Sequence, residues 1–188
     1  MTQTISQLHV GERLRQLRTD QGLSVRTLAT KAGFSPSFIS QMENGQVSPS
    51  IASLERLAAV LGVTLGGFFT ASSSSPAAVV RATDRQELTS TWSRATIEAL
   101  GPTGSERMLE PIMITLLPGG RSGTHLYTPR GEQFAFICDG VVTLTLPENT
   151  CTLQQGDAVS LAAGTPQQWE NIGFHAALVL IVSAHAGS

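Results

Sequence analysis

Apolar residues recur at helical spacing in the first third of the chain and in short alternating runs in the rest. Val10, Leu14 and Leu17 share one face of a first predicted helix. A second apolar face, over 51–61, follows Ser50, a residue type that caps helix N-termini. With three further short helices predicted between the first helix and Phe69, the pattern indicates an N-terminal domain of five helices.

The stretch 24–45 carries two short helical patterns that break at Gly33. Glycine accepts the left-handed backbone of a tight turn. Ser35 is a natural N-cap and Pro36 fits the first helical position, which needs no amide proton, so the second helix begins sharply. Apolar residues of both patterns face each other: Leu28, Ala29, Ile39 and Met42. We therefore predict two helices held at a fixed angle by a tight turn.

From Val79 onward the pattern is that of strands. Short alternating or β-branched runs, bounded by glycine or proline turns, lie at 108–117, 133–138, 141–146, 158–161 and 177–182. Strands without intervening helices predict an antiparallel sandwich or barrel. Asp139-Gly140, between two of these runs, predicts a β-hairpin.

The sequence TASSSSP over 70–76 is the clearest break between the two patterns, because four serines and a proline bury no apolar surface. We predict a helical domain over 1–69, a linker over 70–78 and a second domain over 79–188. A hydrophobic content of 41% with 14% charged residues is typical of a folded protein. The longest apolar run, 176–182, is too short to cross a bilayer, and we expect a cytoplasmic protein.

Charge and cysteine content refine this picture. The net charge is −2, with six basic and four acidic residues up to Thr70 and six against ten beyond it. This asymmetry favours the first half as the part that binds nucleic acid. Cys138 and Cys151 have neither zinc-site spacing nor the pattern of a secreted disulfide framework. They are predicted as small buried side chains on neighbouring strands, with a redox pair as the alternative.

The stretch 24–45 resembles the helix-turn-helix of the Xre/lambda-repressor family, whose pattern is LA..AG.S...IS..E.G. The matching residues are Leu28-Ala29, Ala32-Gly33, Ser35, Ile39-Ser40, Glu43 and Gly45. The resemblance implies that the second helix reads DNA and that dimers bind near-palindromic sites. It also implies a partly buried ion pair between Arg18 and Glu43, which we prefer to a DNA contact by Arg18.

The geometry of such a motif predicts which residues contact DNA, because the N-terminal half of a recognition helix enters the major groove. Ser37 and Gln41 are candidates for base edges, and Pro36 and Phe38 offer apolar surface to a thymine methyl. Phe38 has an equal alternative in packing against the domain core. The remaining predicted contacts, at the helix start and with phosphates, are Ser35, Arg26, Asn44 and Gln46.

The second domain resembles the cupin fold, a small jelly roll, in two segments: GGRSGTHLYTPRGEQFAFICDG over 119–140 and GDAVSLAAGTPQQWEN over 156–171. Metal-binding cupins use two histidines and a glutamate from the first motif and a histidine from the second. The matching positions here are His125, Tyr127, Gln133 and Gln167. Glu132 would supply a carboxylate only after a shift of one residue, and alternation turns it away from the barrel. Neutral amides bind transition metals poorly, so we expect no metal and no cofactor.

The same four residues, His125, Tyr127, Gln133 and Gln167, are expected to converge inside the barrel as hydrogen-bonding groups. This chemistry suits a small polar effector, and Arg121 and Arg130 lie in loops near the predicted mouth. In the alternative, these groups satisfy one another in a barrel that serves only for dimerisation.

Taken together, the chain is expected to be an α + β, two-domain protein: a helix-turn-helix domain joined to an all-β cupin jelly-roll barrel. The predicted function is a homodimeric transcriptional regulator, without enzymatic activity, whose binding to double-stranded DNA changes with a small-molecule effector. Two alternatives are a DNA-tethered, metal-dependent cupin enzyme and an antitoxin-like interaction module with an empty barrel.

Overall fold

The computed structural model of the protein describes residues 7–69, 77–101 and 108–184, without the side chains of residues 7–9. Residues 70–76 of the predicted linker over 70–78 lie outside the described residues. The chain folds into an N-terminal helical domain and a C-terminal domain of two antiparallel sheets. This confirms the predicted fold class.

The N-terminal domain contains four α-helices among its described residues: α1 (Gln7–Asp20), α2 (Val25–Ala32), α3 (Pro36–Glu43) and α4 (Ile51–Leu61). The prediction of a fifth helix is wrong, because that segment forms only a 3-10 turn, Leu65–Phe68. Gly66 and Gly67 occupy its centre, and two consecutive glycines disfavour a longer helix.

Serine caps fix where the helices begin. The Ser35 Oγ accepts a hydrogen bond from the Phe38 amide at 3.2 Å, and Ser24 and Ser50 cap α2 and α4 in the same way. Gly33 closes α2 with a left-handed φ of 68°, as a tight turn requires. The apolar residues predicted to join α2 and α3 are all buried, so the predicted helix-turn-helix is confirmed.

Nine strands make up the described part of the second domain: β1 (Glu87–Ser90), β2 (Ala95–Ala99), β3 (Leu109–Leu116), β4 (Gln133–Asp139), β5 (Val141–Thr145), β6 (Thr150–Gln154), β7 (Ala158–Leu161), β8 (Gln168–Asn171) and β9 (Ala177–Ala184). The six-stranded sheet has the order β1-β2-β3-β9-β4-β7, and the three-stranded sheet the order β6-β5-β8. Inward-facing side chains of both sheets, including Trp169 and Ile137, form the barrel core.

The hairpin predicted at Asp139-Gly140 is wrong. β4 belongs to the larger sheet and β5 to the smaller one, so the turn carries the chain from one sheet to the other. Gly140 has a φ of 83°, and its amide donates to the Asp139 Oδ1 at 2.9 Å. The sequence correctly predicted a turn at Asp139-Gly140, but this turn connects the two sheets instead of two paired strands.

Two smaller features complete the fold. Cys138 on β4 and Cys151 on β6 are both half-buried and free. None of the described helices is long and apolar enough to cross a membrane.

Candidate DNA-binding surface and barrel pocket

The recognition helix α3 has one buried and one exposed side. Ile39, Met42 and Glu43 are buried against the rest of the domain. Ser37 and Gln41, one turn apart, are exposed, and so are Ser35 and Pro36 at the helix start. The structure therefore presents the predicted base-reading residues on an accessible surface. Arg26 and Gln46, predicted to contact phosphates, are exposed as well.

An ion pair behind α3 holds this helix in place. The Arg18 guanidinium contacts the Glu43 carboxylate at 2.6 Å and 3.0 Å, and only 11% and 3% of the two side chains are exposed. The hydrogen bond to Glu43 raises the pKa of Arg18 above its ordinary value. The pairing expected from the family resemblance is therefore confirmed.

Arg15, which the sequence did not single out, adds a second cation to this site. Its Nε lies 3.3 Å from the Glu43 carboxylate, and its Nη2 donates to the Asn44 Oδ1 at 2.8 Å. Asn44, predicted to contact phosphate, thus already has a partner for its side-chain oxygen. Arg15 lies 28 residues from Glu43 along the chain, so the local sequence pattern gave no signal for this contact.

Phe38 packs inside the domain as well as facing outward. Its side chain is half-buried, and its ring lies 5.0 Å from that of Phe34. The Arg56 guanidinium of α4 lies over the Phe34 ring at 4.4 Å, and its Nη2 hydrogen-bonds to the Ala32 carbonyl in the motif's turn. Of the two alternatives for Phe38, the structure shows the packing contact.

Three of the four predicted effector residues meet inside the barrel. The Gln167 Nε2 donates to the Gln133 Oε1 at 2.6 Å and lies 3.5 Å from the Tyr127 hydroxyl. The Gln133 Nε2 donates to the Ser183 Oγ at 3.0 Å, and all four side chains are buried. The Gln167 Oε1 has no hydrogen-bond partner although it is buried. A buried carbonyl oxygen of this kind is costly, and it is open to a donor.

His125 does not join this cluster, and the expected convergence is wrong for this residue. Its side chain is exposed. Residues two apart share a face only in a regular strand. The segment around His125 is irregular, and a single bridge from Tyr127 to Gln167 fixes Tyr127 alone.

The donor set at the cupin metal positions does not fit a divalent transition metal. Gln133 and Gln167 are neutral amides that bond to each other, and amides are poor ligands for such ions. Glu132, the alternative carboxylate, is exposed. Within the described ranges, no three His, Cys, Asp or Glu side chains come close enough together to hold an ion.

Helix α4 of the DNA-binding domain closes one end of the barrel. The Ala52 amide donates to the Ser122 carbonyl at 2.8 Å, and the Ile51 amide donates to the Ser93 Oγ at 3.1 Å. The Ser90 Oγ donates to the Pro49 carbonyl at 2.6 Å. First-turn amides have no partner within their own helix, so the barrel satisfies them.

The Ile51 side chain forms part of the wall of the barrel cavity. The other lining residues come from the barrel and include Ser122, Tyr127 and Trp169. The cavity measures about 10 Å³, which is about the space that one water needs. This cavity is therefore nearly filled in this conformation, and Ile51 of α4 contributes to filling it.

Glu55, one turn after Ile51, brings a carboxylate to the same junction. It is 6% exposed and lines a second cavity with Gln133, Ser183 and Arg130. Burial raises the pKa of Glu55 to about 7. Burial also raises the pKa of the Tyr127 hydroxyl, and the charge of Glu55 raises it further. The junction thus holds a carboxylate that titrates near neutral pH.

Comparison with known proteins identifies the family of this chain. Residues 9–66 match the model of a helix-turn-helix domain, and residues 112–183 match that of a cupin domain. The chain is 30% identical over 177 residues to the HTH-type transcriptional regulator PuuR of Escherichia coli K12, covering 93% of each protein. The chain belongs to the family of helix-turn-helix transcriptional regulators with a cupin domain.

Two further comparisons agree with this family. The HTH-type transcriptional regulator SutR of the same strain is 26% identical over 160 residues, or 85% of each protein. The crystal structure of an HTH_3 family transcriptional regulator from Vibrio cholerae superposes with a TM-score of 0.73 at 23% identity, over 97% of this chain and 98% of that one. The second comparison concerns the fold alone. The protein is accordingly a DNA-binding transcriptional regulator.

Glu55 and Arg56 are functional candidates of this regulator that sequence reasoning missed. One signal for Glu55 was present, because it is the only acidic residue in an otherwise largely apolar α4. Arg56 follows it directly and points to the helix-turn-helix instead. Adjacent residues of a helix face different directions, so α4 contacts both functional parts of the regulator.

Proposed function

We propose that the protein is a homodimeric regulator of a near-palindromic operator, and that a small polar effector in the metal-free barrel modulates its DNA binding. The observation that carries the proposal is the position of Ile51, a residue of the DNA-binding domain that forms part of the barrel cavity wall. The proposal gives the barrel a sensing role rather than a catalytic one. It also places the protein in the cytoplasm, together with the DNA.

The composition of the exposed face of α3 supports the requirement for two copies. This face offers hydroxyl and amide groups, in Ser37 and Gln41, and no cation. Phosphate contacts by lysine and arginine supply most non-specific affinity for DNA. One copy therefore has few phosphate-binding groups beside its recognition helix, and two copies engaging two half-sites double them.

Helix α4 provides a physical route between the barrel and DNA. Ile51 and Glu55 face the barrel cavities, and Arg56 contacts the turn and the Phe34 ring of the helix-turn-helix. Phe34 in turn packs on Phe38 of the recognition helix. A movement of α4 would therefore be transmitted to α3 through packed side chains.

The filled cavity determines how an effector would act. A space of about 10 Å³ cannot hold even a small metabolite, so binding requires lining side chains to move. Ile51 belongs to the DNA-binding domain, and hydrogen bonds from the Ile51 and Ala52 amides to the barrel hold it in place. We therefore expect the effector to favour a state in which α4 leaves the barrel, and so to change the spacing of the two recognition helices.

Operator selection with the intact chain tests the DNA-binding half of the proposal. Gln41→Ala should relax base preference at one position in each half-site, because an amide at this place reads a base edge. Gln16→Ala, an exposed glutamine on α1, serves as the matched control and should leave the selected sequence unchanged. An identical selected sequence for wild type and Gln41→Ala would remove Gln41 from base reading.

The fluorescence of Trp169 tests the effector half. The chain has two tryptophans, and Trp92→Phe leaves Trp169, a cavity-lining residue, as the single reporter. A panel of small polar metabolites is screened for a change in this emission, and each hit is added to an operator-binding titration. A hit should change operator affinity. Hits that alter Trp169 and leave operator affinity unchanged would separate the barrel from DNA binding and overturn the coupling.

A further inference from the structure

The six-stranded sheet carries an apolar surface on the face that points away from the barrel interior. Its side chains, which we call the outer sheet face, lie on β3, β4 and β9: Met113, Phe134, Phe136, Leu178, Leu180 and Val182. None of the six belongs to the described hydrophobic core or to the side chains packed against it. Phe134 is 43% exposed.

The register of the strands makes this surface continuous. Met113 and Phe136 flank Leu180 in one row across the sheet, and Phe134 flanks Val182 in the next row. Neighbouring strands lie about 4.8 Å apart, so side chains within a row touch. Leu180 therefore lies at the centre of the outer sheet face.

An antiparallel sheet with one face in water alternates apolar and polar residues. β1 and β2 follow this rule, because their outward positions include Glu87, Thr96 and Glu98. β9 departs from it, since the six residues 177–182 are all apolar. A strand that is apolar on both sides is typical of a sheet that is covered on both sides.

We infer that the outer sheet face docks a second copy of this chain, sheet against sheet, with β9 at the centre of the interface. The inference rests on the proposed function, which requires two recognition helices held together. Among the described residues, the outward positions of β3, β9 and β4 carry one charged side chain, Asp139, which pairs with Leu178 at the end of β4. The apolar centre around Leu180 can therefore meet an identical surface without like-charge contacts, as the charge-depleted core of an interface requires.

The size of the sheet is consistent with a dimer. Three strands of about eight residues cover about 14 Å by 27 Å, or about 400 Å² in projection. A standard interface takes about 800 Å² of accessible surface from each partner, and side chains make accessible area larger than its projection. β2 and β7 extend the sheet on either side and would form the polar rim of such an interface.

Charges at the rim select the orientation of the two copies. Glu98 on β2 adjoins Met113, and Ala158 on β7 adjoins Phe136 at the opposite end of the same row. A two-fold axis across β9 would place the two Glu98 side chains over each other, which is unfavourable. An axis along β9 places Glu98 of one copy over Ala158 of the other, and this arrangement is the one we infer.

Sedimentation equilibrium of the full chain across the micromolar range tests the inference. Wild type should be a dimer, and Leu180→Glu should weaken it by about 100-fold or more, because each dimer would bury two charges. Thr152→Glu, at an exposed position of β6 in the smaller sheet, is the matched control and should remain dimeric. Circular dichroism shows whether each variant is folded.

A milder variant decides the matter if Leu180→Glu does not fold. Val182→Thr keeps the shape and strand preference of the side chain and should weaken the dimer by about tenfold. A wild-type dimer that both variants retain would overturn the docking surface and leave the proposed function standing. A monomeric wild type would overturn both the inference and the dimeric part of the proposed function, whereas a response of that monomer to an effector would leave the sensing role of the barrel standing.

Discussion

Replacing Glu55 by glutamine should make the protein more stable at pH 8 and leave its stability near pH 4.5 almost unchanged. The reason lies in the site, where the carboxylate is 6% exposed at the junction of α4 and the barrel. The ionisable groups facing it are Tyr127, whose pKa is itself raised, and Arg130, which is exposed. Neither compensates for the burial of a negative charge, and glutamine preserves the shape without the charge.

The raised pKa of Glu55 sets the magnitude and the pH range. A pKa of about 7 in the folded protein, against 4.5 ordinarily, corresponds to about 3 kcal/mol. The folded state binds this proton more tightly than the unfolded state. Its contribution is therefore fully present below pH 4.5, is lost as the pH rises to about 7, and stays lost above it. Wild type should accordingly be about 3 kcal/mol less stable than Glu55→Gln at pH 8.

Urea unfolding of both proteins at pH 4.5, 6 and 8 measures the difference in unfolding free energy. Comparing variant with wild type at each pH cancels the titration of other groups. Glu132→Gln, an exposed position of the barrel domain, is the control and should show the same small difference at every pH. A difference for Glu55→Gln that does not grow between pH 4.5 and pH 8 would refute the burial of an uncompensated carboxylate at this junction.

Two further substitutions test the packing of the DNA-binding domain. Arg18→Met should lower the free energy of unfolding in urea by about 3–5 kcal/mol, because it removes the main partner of buried Glu43. The double variant with Glu43→Met should recover much of this loss. A loss below about 1 kcal/mol for Arg18→Met alone would contradict the role of this pair. Gly123→Ala should push α4 off the barrel, since a Cβ there would lie 2.5 Å from the Ala52 Cβ. We expect the free energy of unfolding to fall by about 1–3 kcal/mol and the operator affinity to change, whereas the control Thr124→Val should change neither.

Local chemistry explains which elements could be predicted from the sequence. The helix-turn-helix depends on caps and a turn formed by neighbouring residues, such as Ser35 and Gly33, so its signals lie within a few positions of each other. Strands β3 and β9 were visible because of their apolar character. β6 and β8, with the sequences TCTLQ and QWEN, were not predicted, because long-range pairing with β5 rather than their own pattern makes them strands.

The barrel site was only partly predictable for a related reason. Gln133 and Gln167 lie on or beside regular strands, so a family motif places their side chains correctly. His125 lies in an irregular segment, where sequence position does not determine side-chain direction. The domain junction was not predictable at all, because contacts such as that from Ile51 to Ser93 join residues 42 positions apart in different domains.

Helix α4 unites these observations, because it has two buried faces instead of one. Leu54, Leu57 and Leu61 pack in the helical domain, whereas Ile51, Glu55 and Ala59, each one turn further, follow the barrel side. Residues at this spacing move together when a rigid helix moves. Under the proposed function, an effector that displaces Ile51 would therefore also move Glu55 out of its buried site, where its charge is disfavoured. Proton release from Glu55 and entry of the effector would then favour the same undocked state of α4, and each would promote the other through the helix that contacts the recognition motif.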